Sequence, residues 1–213
     1  MDVEGRKDLV VLVADKNAEF ALRGILARHP SLRIRALQFD VYVHPERDPG
    51  CRAKCHEFLQ SFAGAYAHAL VLFDREGCGR EDEATGALEA EVRQSLSRSG
   101  WGNRAEVIVL EPELDVWVWS DSPHVDDELG WKGRHPGLRA WLAEKGYLRS
   151  QEDKAKPARP KEAMEAALRA ARKPRSSVVY QRLAEKLSLS RCRDPGFLRL
   201  ASILRTWFSA ARL

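Results

Sequence analysis

His68-Ala69-Leu70-Val71-Leu72-Phe73-Asp74-Arg75-Glu76-Gly77-Cys78-Gly79 is the stretch on which the reading of the whole chain turns. Ala69 to Phe73 is an apolar run without polar alternation, the pattern of a strand buried on both faces, as in a parallel sheet. It stops at Asp74-Arg75-Glu76 and two glycines, so two carboxylates two residues apart leave the strand at its C-terminal end. In an open α/β sheet that edge is where ligands bind, and paired carboxylates on a glycine-loosened turn offer oxygen ligands to a hard divalent cation. Asp and Gly are also ordinary turn residues, so a solvated strand end fits the same letters.

Working outward, Leu9 to Ala14 is a second fully apolar run, a central strand, and it stops at Asp15. Asn17 is placed to cap the helix that follows, whose stripe Phe20, Leu22, Ile25 and Leu26 runs to about His29-Pro30. Residues 32 to 43 alternate with one break near Gln38, which predicts a partly exposed strand with a bulge. Arg104 to Leu110 is a further strand, and it runs into Glu111-Pro112-Glu113-Leu114-Asp115. Three strands thus finish in carboxylates. Strand and helix alternate, which forces parallel pairing and places Asp15, Asp74 and Glu113 along one rim. Like charges gathered there repel unless a cation neutralises them.

Between these strands, His44-Pro45-Glu46-Arg47-Asp48-Pro49-Gly50 is a loop by its prolines and glycine, and His44 is its candidate proton shuttle or phosphate contact. A helix from about Cys51 to Tyr66 follows. Cys51, Cys55 and His56 lack the second ligand pair that structural zinc sites use. A polar helix is predicted from roughly Glu83 to Ser97. Trp117 and Trp119 cannot share one helix face, which puts one in the core and the other at a cleft or partner.

No apolar run approaches the roughly 20 residues that span a bilayer, and the charged N-terminus lacks the apolar segment of a signal peptide, so a cytoplasmic, non-membrane protein is expected. The net charge of +4 hides an asymmetry. Residues 151 to 213 carry 15 Lys and Arg against 6 Asp and Glu, a net of +9, while residues 1 to 150 carry 20 against 25, a net of −5. A basic module beside an acidic site fits a polyanionic partner such as nucleic acid, because phosphate neutralisation releases counterions. Equally, the positive side chains fit a role in coating helices or packing against the acidic part. Arg149 to Pro160 reads as a linker, and three helical stretches lie beyond it, with Ser176 or Ser177 and Asp194 as caps. The division expected is an α/β domain over residues 1–149 and a basic helical subdomain over 150–213.

One acid after the first strand and an acidic pair after a later strand make the chain resemble the TOPRIM domain of topoisomerases, primases and overcoming-lysogenization-defect nucleases. Within that group it is similar to a family of small bacterial TOPRIM-like proteins. Their tryptophan-bearing segment is matched by Glu113-Leu114-Asp115-Val116-Trp117-Val118, and their helical tail by Pro160-Lys161, Tyr180 and Cys192 to Phe197. Residues 13 to 20 and 73 to 79 also look like TOPRIM-like components of bacterial anti-phage defence systems.

The resemblance implies a mainly parallel α/β sheet flanked by helices and a nuclease or other phosphoryl-transfer activity on phage or host nucleic acid, dependent on Mg2+ or Mn2+, with other defence subunits as partners. It makes Asp15, Asp74 and Glu76 the metal ligands and adds Glu19 and Glu113 as further catalytic acids; the basic Lys16 and Arg75 beside these acids, with His44 of the loop, are the candidates for phosphate contact. Two departures stand out. Ala14-Asp15-Lys16 replaces the family's Glu-Gly, and Asp74-Arg75-Glu76 replaces its Asp-x-Asp, changes of carboxylate reach that magnesium's strict geometry tolerates poorly. A non-catalytic sensor or adaptor subunit with a degenerate site is therefore the other expectation.

Overall fold

The computed structural model describes residues 5–120, 122–150 and 155–210. Four strands, β1 (Lys7–Val13), β2 (Phe39–Val43), β3 (Tyr66–Asp74) and β4 (Ala105–Leu110), form one all-parallel sheet in the order β2-β1-β3-β4. The register sets Val13 beside Leu72 and Asp74 beside Leu110, so β1, β3 and β4 end at the same rim. The apolar runs form the central strands because they are covered on both sides: Leu9 to Val13 and Ala69 to Phe73 are fully buried.

Period-two alternation divides these residues between two cores. Val10, Leu12, Val71, Phe73, Val107 and Val109 face α3 (Arg47–Gln60) and α4 (Thr85–Leu96), together with Cys51, Cys55 and Trp101. Leu9, Val11, Val13, Leu70, Leu72, Ile108 and Leu110 face the other way, toward α1 (Lys16–Leu26). Between β1 and β2 lies the short α2 (His29–Leu32), and after β4 come α5 (Pro123–Leu129) and α6 (Leu138–Glu144). Then follow α7 (Pro160–Ala170), α8 (Ser177–Lys186) and α9 (Pro195–Phe208). These last three have no core of their own. Met164, Leu168, Leu183, Leu200, Leu204 and Phe208 belong to the same cluster as Leu9 and Leu70, so the basic C-terminal region closes one face of the sheet.

The expected strand over residues 32–43 is only half formed. Arg33 adopts a left-handed conformation (φ 60°) at the end of α2, and the Asp8 carboxylate binds Arg35 and the Gln38 backbone N–H. The strand then starts at Phe39, and Ile34 makes a single antiparallel bridge to Ser209. Ser176 and Asp194 cap α8 and α9 as the sequence indicates. The cap of α1 is Asp15 rather than Asn17. Trp119 is buried and donates to the Pro160 carbonyl at 2.9 Å; the partly buried Trp117 borders a cavity and donates to Asp194 Oδ1 at 2.9 Å. No helix among the described residues is long and apolar enough to cross a membrane.

Candidate functional site

The C-terminal rim of the sheet gathers five carboxylates from four places. Asp15 follows β1, Asp74 ends β3, Glu113 and Asp115 lie on the turn after β4, and Asp48 enters from the first turn of α3. Asp48 sits against the Asp74 backbone, whose N–H donates to Asp48 Oδ1 at 2.8 Å. Asp74 Oδ1 in turn accepts the Leu114 N–H at 2.8 Å, tying the end of β3 to the turn after β4. Burial pushes the Asp74 carboxyl well above the usual carboxylate range, and the charges of Asp48, Asp15 and Asp115 push the same way, while the Leu114 bond opposes them. Asp48 and Asp115 are raised too, chiefly by desolvation, with Asp15 adding to each. Glu113, buried beside Asp115, is pushed up to about 7.

Most of these carboxylates already hold protein donors. Asp15 accepts the Ala18 N–H at 2.9 Å as the cap of α1 and the Asn17 side-chain amide at 3.2 Å. Asn17 passes the connection on by accepting from the Ser177 hydroxyl at 2.9 Å. Glu113 accepts the Lys161 backbone N–H at 3.0 Å. Asp115 accepts the Tyr180 hydroxyl at 2.7 Å and lies 3.4 Å from Arg175, whose guanidinium also bonds Tyr180 at 2.7 Å. Ser177 and Tyr180 are on α8 and Lys161 is on α7. The acid rim therefore fastens the C-terminal helices onto the sheet.

The structure brings Asp15, Asp74 and Glu113 to one rim and adds Asp48 and Asp115. It does not bring in the others. Glu76 stands exposed, its charge acting on Glu113. Glu19 pairs with Arg23 at 2.9 Å on α1. Arg75 makes two 2.8 Å bonds to Glu111 and one to the Glu81 carbonyl, and Lys16 is exposed. His44 is buried; its Nδ1 accepts the Glu46 N–H at 3.1 Å and its ring lies 5.5 Å from that of Phe58, with burial lowering its pKa. These contacts make His44 a support for the entry to α3. The Cys51 and Cys55 thiols are core residues, the latter pushed up to about 12 by burial.

Comparison with family models, curated proteins and solved structures finds no match. The rim must be judged on its own chemistry. All-oxygen carboxylate donors suit Mg2+ or Mn2+. Among the described residues no group of three or more His, Cys, Asp or Glu side chains placed to hold a metal ion is found.

Asp48 and Asp115 are what the sequence reading left out of the site. Asp48 lay in a loop recognisable only by its Pro and Gly, and nothing in that composition says that α3 begins beside the end of β3. Asp115 was visible as part of the acidic cluster after β4, but its Tyr180 and Arg175 partners lie about 60 residues away in the chain.

Proposed function

We propose that this chain is a non-catalytic binding subunit, a sensor or adaptor of a multiprotein assembly, in which the acid rim serves as a fastening for the C-terminal helices. The observation that carries this reading is the commitment of Asp15, Glu113 and Asp115 to donors on or leading to α7 and α8. Buried carboxylates satisfied by protein donors fix one arrangement of helices, and each such bond to a charged group contributes about 1.5–3 kcal/mol. The setting in bacterial anti-phage defence, with partner subunits like those of the methylation-associated system, rests on the sequence resemblance alone. Nucleic acid as a partner is supported by the arginines Arg169, Arg172, Arg191 and Arg193, which have no acidic partner among the described residues.

One observation favours a second reading, a divalent-metal-dependent nuclease with Asp15, Asp48 and Asp74 at its centre. Asp74 is raised by three neighbouring aspartates and has no basic side chain among its main electrostatic influences, and clustered titratable groups with shifted pKa values mark functional sites. Two measurements separate the readings. In the adaptor reading, Asp115→Ala raises hydrogen exchange in α7 and α8, and the wild type neither cleaves DNA or RNA with Mg2+ or Mn2+ nor melts higher in their presence. Divalent-dependent cleavage lost in Asp74→Asn, with exchange in α7 and α8 unchanged by Asp115→Ala, would establish the nuclease and dismiss the adaptor.

A further inference from the structure

A cavity of about 470 Å3 opens behind the acid rim, between α1, α8, the turn after β4 and the segment that leads into α9. Its wall is aliphatic and aromatic: Ile25, Leu114, Trp117, Leu183, Leu187 and Phe197 supply much of it. Such a volume and lining match the pockets that enclose small organic ligands, which typically measure about 300–1,000 Å3 and carry few polar groups.

Two features define what belongs inside. Among the described residues the charged side chains on the lining are all basic: Lys156, Arg191 and Arg193. Lys156 is balanced by Asp194 at 3.1 Å, whereas Arg191 and Arg193 are exposed and have no acidic partner among the described residues. Their charge is therefore uncompensated beside an apolar chamber. The second feature is the half-buried Ser120 on the lining, whose buried hydroxyl has no hydrogen-bond partner among the described residues. A buried hydroxyl left unbonded costs about 1–3 kcal/mol, which marks this part of the wall as polar and unsatisfied. Among the described residues the wall offers no Asn or Gln side chain, the usual groups for reading the edge of a nucleobase, which leaves an aliphatic body as the better match.

We propose that this cavity binds a small amphipathic anion, an aliphatic chain ending in a carboxylate or phosphate, with the chain against the apolar wall and the head on Arg191 and Arg193. This goes beyond the adaptor reading and gives that reading an input. Leu114 and Tyr180 line the cavity, and the same two residues hold Asp74 through the Leu114 N–H and Asp115 through the Tyr180 hydroxyl. An occupant touches both fastening points of the rim.

The test uses decanoate below its micelle-forming concentration, followed by calorimetry and by the fluorescence of Trp117 and Trp119. The full-length wild type should bind one decanoate per chain. The double charge reversal R191E/R193E, at two exposed positions that leave the core intact, should weaken binding at least tenfold with an unchanged melting temperature. Decyltrimethylammonium, the same chain with a cationic head, should bind at least tenfold more weakly than decanoate. No decanoate binding at low millimolar concentration, equal binding of the cation, or wild-type affinity in the double variant would each overturn the proposal. Adenosine monophosphate binding in place of decanoate overturns it as well. None of these outcomes bears on the adaptor reading, which cleavage and hydrogen exchange decide.

Discussion

The backbone N–H of Asp74 donates to the carboxylate of Asp48 at 2.8 Å, so the last residue of β3 is anchored by the first turn of α3. The bond fixes the direction of β3 where it leaves the sheet, yet it places two carboxyl groups side by side in a desolvated corner. Both are raised in pKa, and burial is the larger cause for each. The corner therefore favours a proton on at least one of the two.

This fixes the sign of a pH effect. An acid whose pKa in the folded protein lies above its unfolded value contributes its full share of stability below the unfolded pKa and loses it as pH rises beyond that value. Asp74→Asn keeps an oxygen to accept the Leu114 N–H and removes the titration. The variant should match the wild type near pH 4 and melt a few degrees higher at pH 7.5, about 1 kcal/mol corresponding to roughly 2–4 °C in a domain of this size. Thermal melts across that range check it, and a wild type that gains on the variant as pH rises would contradict the assignment.

A second prediction concerns Gly50. A Cβ at this position would stand 2.1 Å from His44 Nδ1 and 2.8 Å from Glu46 Cβ, and the His44 ring is enclosed against Phe58. Gly50→Ala should cost about 1–3 kcal/mol through overpacking. In a denaturant double-mutant cycle, His44→Ala should recover much of that loss, because it removes the ring that the new methyl meets. Additive losses would show that His44 is not what demands the glycine.

The third lies at the β4 edge of the sheet. Glu89 of α4 is buried, accepts the Val109 N–H at 3.1 Å and pairs with Arg199 of α9. Burial raises the Glu89 pKa, and the Arg199 charge opposes that shift. Arg199→Ala strands a buried carboxylate and should cost about 3–5 kcal/mol, whereas Glu89→Gln combined with Arg199→Met should cost much less. The deficit of the single variant should grow as pH rises from 4 to 8, since its remaining carboxyl must ionise without a partner. Urea denaturation at the two pH values measures both effects.

How far the sequence predicted this arrangement depends on the range of the forces involved. The strands β1, β3 and β4 were legible because burial on both faces leaves an unbroken apolar run, and their acidic ends were legible because the run stops there. Asp48 was not, because its place beside Asp74 depends on how α3 packs. The alternation over residues 32–43 mimics a strand, while the Asp8 carboxylate, distant in sequence, claims Arg35 and the Gln38 N–H. The basic tail was open to two readings. Its charge fitted either a polyanion partner or packing against the acidic part, and Lys161, Arg175, Lys186 and Arg199 spend theirs on Glu113, Asp115, Glu128 and Glu89 of that part. Composition records the two opposite charges without recording that they meet.

The last prediction follows from that meeting. Residues 1–149 should not fold when expressed alone. Removing α7, α8 and α9 takes away Met164, Leu168, Val179, Tyr180, Leu183, Phe197, Leu200, Leu204 and Phe208, all buried in the core that covers Leu9, Val11, Leu70 and Leu72. Burial of one such side chain contributes about 1.5–3 kcal/mol, so losing these nine removes as much as, or more than, the roughly 5–15 kcal/mol by which a domain is stable. Trp119 and Trp131 would lose their carbonyl partners at Pro160 and Ala167, and Asp115 would lose Tyr180 and Arg175. The truncated chain should be insoluble, or soluble with dispersed hydrophobic-dye binding and no cooperative melt. A soluble fragment that melts cooperatively, with near-ultraviolet circular dichroism bands from its buried tryptophans, would show that the C-terminal helices are a separable module after all.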